Sequence, residues 1–318
     1  MLLPRLIAGL LCASMLTLGA GSASGQAFPT KPIRIFTSDA GGGNDIAARI
    51  IAQGMSGPLG QQVLVENRGG VLAGDTVSKA APDGYNVLFI GDTVWVTPLL
   101  KKDAPYDALK DFAPITLATI APIVLAVHPS LPVKSVKELV ALAKARPGKL
   151  NYGSPAVGTG THMATELFKS MAGVNIQRIG YKGGAGVLND LMGGHIEVAF
   201  LVVTSAGVHV KSGRLRALAI TSPSPLFPDM PTVASAGLPG YEASGLSGMF
   251  APIKTPDAIV QLLSREMNRS LARPESKERF QAIGVETVGT TPEQFTTRIK
   301  SEVAKWIKVI KEANIRDD

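Results

Sequence analysis

The sequence predicts an α/β fold of two lobes with a ligand cleft between them, and three observations predict it. Short β-branched runs alternate with helix-like segments from Pro32 onward. Each run is apolar on both faces, as in strands covered by helices on either side. The length of 318 residues fits about two domains, enough to bury roughly 75% of the unfolded surface without disulfides or a structural metal. With 45% hydrophobic and 18% charged residues, disorder is excluded as the dominant state. The net charge of +7 is scattered along the chain, which argues against nucleic acid as a partner.

Residues 1–27 read as a cleaved secretory signal peptide: Arg5, an apolar stretch from Leu6 to Leu18, and a small-residue run ending Gly25-Gln26-Ala27 before Phe28. The apolar stretch is shorter than the roughly 20 residues a membrane span needs. The single cysteine, Cys12, lies inside that stretch, so the mature chain is expected to be cysteine-free, with a net charge of +6 once Arg5 is removed. This points to the periplasm, where a large core makes disulfides dispensable.

Strands are expected at Ile33 to Thr37, Val63 to Glu66, Val87 to Ile90, Val124 to His128, Ile176 to Tyr181, Ile196 to Phe200 and Leu215 to Ile220, all parallel. Ser135 with Glu138 and Thr291 with Gln294 form capping boxes, and Thr255-Pro256 and Thr291-Pro292 place proline at a first helical position. Apolar stripes follow in Ile259, Leu262, Leu263, Met267 and Leu271, and in Phe295, Ile299, Val303, Trp306 and Ile310. The segments from Ile120 and from Gly248 echo each other and read as two crossings between lobes. Between them, Thr221 to Gly245 is a Ser-, Pro- and Gly-rich connection with at most one short helix near Thr232 to Ala236. The expected division is 28–121 with 225–318 for lobe one and 122–224 for lobe two.

Two glycine-rich loops stand out. Asp39-Ala40-Gly41-Gly42-Gly43-Asn44-Asp45 joins the first strand to a helix start. Its glycines expose backbone amides next to the positive end of a helix dipole, which makes an anion cradle. The bland alternative is a tight strand-to-helix turn. It is neither a dinucleotide fingerprint, since Ile46 stands where Gly or Ala is required, nor a P-loop, since no Gly-Lys-Ser/Thr follows. The second loop runs from Asn151 through Ser154, Gly158 and Thr159 to His162, again between a strand and a helix. Each dipole contributes about 0.3–2 kcal/mol and each hydrogen bond to a charged group about 1.5–3 kcal/mol. A few such bonds bring micromolar affinity for one carboxylate within reach. Trp95 is a candidate either to stack on a ligand or to anchor the core.

No catalytic residue, cofactor or metal site is expected. His128, His162, His195 and His209 lie far apart in the chain, no pair has metal-helix spacing, and the mature chain lacks a Gly-x-Ser-x-Gly elbow. A Ser-His-Asp set assembled only in space is invisible to sequence, so a secreted hydrolase stays as an alternative.

The sequence resembles the Bug-type extracytoplasmic solute-binding receptors of tripartite tricarboxylate transport. The likeness rests on Lys31-Pro32-Ile33-Arg34, Val65-Glu66-Asn67-Arg68, Lys79-Ala80-Ala81-Pro82-Asp83-Gly84-Tyr85, Asn151-Tyr152, Gly158-Thr159-x-x-His162, Tyr181-Lys182-Gly183 and Pro231-Thr232-Val233, spread over nearly the whole mature chain. It implies a periplasmic binding protein, or flytrap, that closes on a small carboxylate-bearing solute held by main-chain groups of the two loops. It also implies cognate membrane permease subunits as partners. A monomer is expected. A sensor of the same fold that signals to a membrane kinase is the alternative.

Departures from the family pattern bear on the ligand. The first loop loses two hydroxyls and gains Asp39, and Leu201 stands where an aspartate is usual. The expectation is a pocket rebuilt for a less polar monocarboxylate, lined by Asp39, Ala40, Gly42, Gly43, Asn44, Asp45, Trp95, Ser154, Gly158, Thr159, His162 and Leu201.

Overall fold

The β-branched runs become the strands of two mixed sheets in the computed structural model, which describes residues 28–224, 227–312 and 315. The expected signal peptide lies outside the described residues. The chain begins with β1 (Ile33–Thr37), α1 (Gly43–Leu59), β2 (Val63–Asn67), α2 (Gly70–Ser78), β3 (Asn86–Gly91), α3 (Thr93–Leu100) and β4 (Phe112–Ala121). It continues through β5 (Ile123–Val127), α4 (Val136–Ala145), β6 (Asn151–Ser154), α5 (Gly160–Ala172), β7 (Gln177–Gly180), α6 (Gly184–Gly193), β8 (Val198–Val202), α7 (Val203–Lys211) and β9 (Arg216–Ile220). The last part is β10 (Gly245–Pro252), α8 (Asp257–Ala272), α9 (Pro274–Ala282), β11 (Glu286–Thr287) and α10 (Pro292–Glu312).

The first sheet has the order β11-β4-β10-β3-β1-β2 and the second β7-β6-β8-β5-β9. The all-parallel expectation is corrected at the crossings. Strand β1 runs parallel to β2 and β3, and β6 parallel to β7 and β8, but β10 is antiparallel to β3 and β4, and β5 to β8 and β9. Parallel neighbours need a crossover of a dozen or more residues. Only Pro122 separates β4 from β5, so the chain passes directly from one sheet to the other, and β5 enters the second sheet against β8 and β9.

Alternation along the second sheet fills two layers. Leu125 and Phe200 pack with Leu139 of α4 and Phe168 of α5 on one face. Val124 and Leu201 pack with Val187 and Leu191 of α6 and Ala206 of α7 on the other. Strand residues one apart in sequence thus serve opposite cores. Around the first sheet, Phe36, Leu88, Ile90, Trp95, Phe112, Phe250, Phe295 and Trp306 form one cluster, and Met163 of α5 reaches into it from the second sheet's side.

The helix starts form as their side chains dictate. Glu138 N–H donates to Ser135 Oγ at 3.2 Å, although the Glu138 carboxylate accepts from Lys134 N–H at 2.6 Å, one residue earlier than a capping box requires. At α10 the box is reciprocal: Gln294 N–H to Thr291 Oγ1 at 3.2 Å and Thr291 N–H to Gln294 Oε1 at 3.0 Å. The expected short helix near 232–236 is a series of turns around the bridge Ile220–Thr232. The expected return to lobe one at 225 also moves. Phe227 belongs to the Leu201 cluster and Val233, Tyr241 and Ala243 to the Phe200 cluster, because the apolar side chains of this connection are covered only by the second sheet and its helices. The chain rejoins the first sheet at Gly245.

Candidate functional site

The first glycine loop is held by one aspartate. Gly42 N–H donates to Asp39 O at 3.2 Å, and Gly41 adopts φ +77°, a left-handed conformation that favours glycine. Asp45, only 4% exposed, accepts from Gly41 N–H at 2.9 Å, Asn67 Nδ2 at 2.8 Å and Arg49 Nε at 2.9 Å. Asn67 Nδ2 also donates to Ser38 O at 2.9 Å, tying the loop to the end of β2. Burial pushes the Asp45 pKa up, but the bonds from Gly41, Asn67 and Arg49 outweigh it, and the carboxyl sits below its ordinary value. Asp45 therefore shapes the loop from within. Asp39 and Ala40 lie exposed at its tip.

The other side of this loop faces the second lobe. A Cβ on Gly43 would lie 3.6 Å from Thr204 Oγ1, in the first turn of α7. Asn44 Oδ1 accepts from Ser247 Oγ at 2.7 Å, linking the start of α1 to the start of β10. Beside them Gly91 ends β3, where a Cβ would meet Leu246 O at 3.0 Å and Asn44 Nδ2 at 3.7 Å.

The second loop is equally self-contained. Thr159 caps α5, accepting from His162 N–H at 3.4 Å and donating to Ala156 O at 3.0 Å. Gly158, at φ +82°, donates its N–H to His162 Nδ1 at 3.3 Å. Ser154 and His162 are buried, and Arg178 Nη2 donates to Pro155 O at 3.0 Å from β7. This loop sits against the start of α3. A Cβ on Gly158 would lie 3.1 Å from Thr97 Oγ1, and one on Gly160 2.5 Å from Asp92 Oδ2. The two loops are thus joined through residues 91–92 and 245–247, rather than facing each other as two bare helix ends.

Asp92 is the unexpected member of this group. It occupies the N-cap position of α3 yet makes no cap hydrogen bond; its Oδ2 instead accepts from Leu246 N–H at 3.4 Å. Burial pushes its carboxyl up, with help from Glu302 and against the Leu246 N–H and Lys305, to about 8. The folded state thus holds the Asp92 proton more tightly than the unfolded chain, whose carboxyl titrates near the ordinary aspartate value of 3.8. Stability from this group is full at low pH and is lost as pH rises toward and through about 8. Between pH 6 and 9 the melting temperature of the wild type is expected to fall relative to that of Asp92→Asn. Parallel melting curves would contradict the assignment.

Two expected cleft residues lie elsewhere. Trp95 is 1% exposed and packs in the first-lobe cluster with its ring 6.5 Å from Phe250. Leu201 is 3% exposed among Val124, Val187 and Leu191. Each fills a core because its strand or helix position points there. Sequence reasoning missed Asp92, Thr97, Thr204 and Ser247. Gly91-Asp92-Thr93 carried a signal, since a polar residue after a glycine at a strand end parallels the first loop; Thr204 and Ser247 carry no local motif.

A surface hollow of about 710 Å³ lies apart from both loops, between the start of α4, Lys211 of α7 and residues 227–236. Among the described residues no group of three or more His, Cys, Asp or Glu side chains is placed to hold a metal ion, and no helix is long and apolar enough to cross a membrane.

Residues 47–315 match the tripartite tricarboxylate transporter family receptor, TctC. The chain belongs to this family. Protein BugT of Bordetella pertussis is 35% identical over 93% of this chain and 94% of its own. The solved R. palustris Rpa4515 with adipate superposes with a TM-score of 0.86 at 34% identity, covering 91% of this chain and 99% of that one. MatC of Rhodopseudomonas palustris with bound malate gives 0.83 at 26% identity, covering 89% and 100%. A TctC receptor is a solute-binding transport protein, not an enzyme. The resemblance and the two-lobed flytrap architecture read from the sequence hold.

Proposed function

We propose that this TctC receptor captures a small carboxylate-bearing solute between lobe one, 31–121 with 245–312, and lobe two, 122–243, and delivers it to cognate permease subunits in the membrane. The observation that supports this most is the pair of glycine loops, each at a strand end and each opening a helix, set against residues of the opposite lobe. Gly43 and Asn44 at the start of α1 supply donors from lobe one, the Gly42 N–H being taken by Asp39 O, and Gly158 and Thr159 frame those of lobe two. The solutes named with two relatives, adipate and malate, are carboxylates and support the same reading. Residues 1–27 act as the export signal, and the mature monomer works in the periplasm.

Solute that touches both lobes favours the closed arrangement, and the closed form is what the permease recognises. Titration calorimetry of residues 28–318 against aliphatic, dicarboxylic and aromatic carboxylates tests this. One-to-one binding at micromolar affinity is expected for at least one class. Absence of binding by every carboxylate, with sugars or amines binding instead, would contradict it.

A further inference from the structure

We propose that Asp92 is a specificity residue whose carboxyl fills the space at the first turn of α5, so that this end of the cleft takes an uncharged part of the solute and not a second carboxylate. The inference rests on the reading of the chain as a carboxylate receptor. Three observations carry it. Asp92 is 5% exposed and leaves the amides of its own helix α3 uncapped. Its Oδ2 is wedged between Leu246 N–H, at 3.4 Å, and the position a Gly160 side chain would take, 2.5 Å away. Gly160 is the first residue of α5, and the positive end of that helix dipole would otherwise favour an anion beside it. The charged groups facing Asp92 are Glu302 and Lys305 of α10, themselves paired at 2.6 Å. With its carboxyl raised to about 8, Asp92 is largely neutral at pH 7, so the space is filled without a buried charge.

Hexanoate and adipate are matched probes, equal in chain length and differing by one carboxylate. At pH 7 the wild type is expected to bind hexanoate at least tenfold more tightly than adipate. Asp92→Ser, which vacates the space and leaves a hydroxyl donor, is expected to shift that ratio at least tenfold toward adipate. Asp92→Asn, which keeps the volume, is expected to retain the monocarboxylate preference of the wild type. Melting curves of both variants establish that they are folded. A wild type that binds adipate as tightly as hexanoate overturns the role of Asp92 while leaving the receptor reading intact. Failure to bind any carboxylate overturns both. The wild-type ratio decides even if Asp92→Ser does not fold.

Discussion

Leu201→Asp destabilises the protein by at least ~4 kcal/mol and lowers the melting temperature by roughly 10 °C. The leucine is 3% exposed in β8, paired with Val124 and packed on Val187 and Leu191 of α6. Truncating such a side chain costs about 2–5 kcal/mol, and an unpaired carboxylate in its place adds desolvation. If Leu201 lined the cleft, as the sequence comparison with family members suggests, the same change would alter ligand affinity and leave stability nearly intact. Thermal unfolding and calorimetry on one preparation separate the two cases.

Asp45→Ala is the second large effect, and it acts on the site itself. The change removes the acceptor of Gly41 N–H at 2.9 Å and of one Asn67 Nδ2 hydrogen at 2.8 Å, leaving Asn67 Nδ2 only its bond to Ser38 O. Each hydrogen bond to a buried charged group contributes about 1.5–3 kcal/mol, while the Arg49 pair adds little because its guanidinium is largely solvated. Stability is expected to drop by about 3 kcal/mol, and carboxylate affinity by more than tenfold as the loop loses its shape. The pH dependence has a definite sign. Because the folded Asp45 pKa is lowered, its stabilisation is present above the ordinary carboxylate range and is lost as pH falls through the folded value. Acid unfolding of the wild type and Asp45→Ala should therefore converge at low pH. A constant offset across the acid range would contradict this role.

The fold was legible because its signals are local. The run Ile33 to Thr37 is a strand at those residues, and the stripe from Ile259 to Leu271 lies in α8, whose bounds Asp257–Ala272 follow the proline at 256. Antiparallel pairing at the crossings was not legible, since strand direction depends on which distant strands β5 and β10 come to lie between, and no local run of residues records that. The return point was hidden for a similar reason: Val233 and Tyr241 are apolar residues in a Pro- and Gly-rich stretch, and only the second sheet shows what covers them.

At the candidate site, the loop residues were visible as glycine patterns at helix starts. Their division of labour was not. Asp45 and His162 look like ligand contacts in sequence, and in the structure each also makes a hydrogen bond within its own loop. Asp92 looks like an ordinary helix cap, and only the approach of α5 from the other lobe gives it another role. Trp95 was open between cleft and core in the sequence, and the helix face it occupies in α3 turns it to the core; Leu201 lies one residue from the end of β8, where one residue of register decides between the two faces of the sheet.

The lobes are expected to close on a bound carboxylate. Cysteines introduced at Arg265 of α8 in lobe one and at exposed Val208 of α7 in lobe two, in a mature chain whose sequence from 28 onward has no cysteine, allow spin labelling and a direct distance measurement between the lobes. Saturating carboxylate is expected to collapse a broad distance distribution to a single shorter one. A distribution unchanged by a ligand that binds one-to-one would contradict the account.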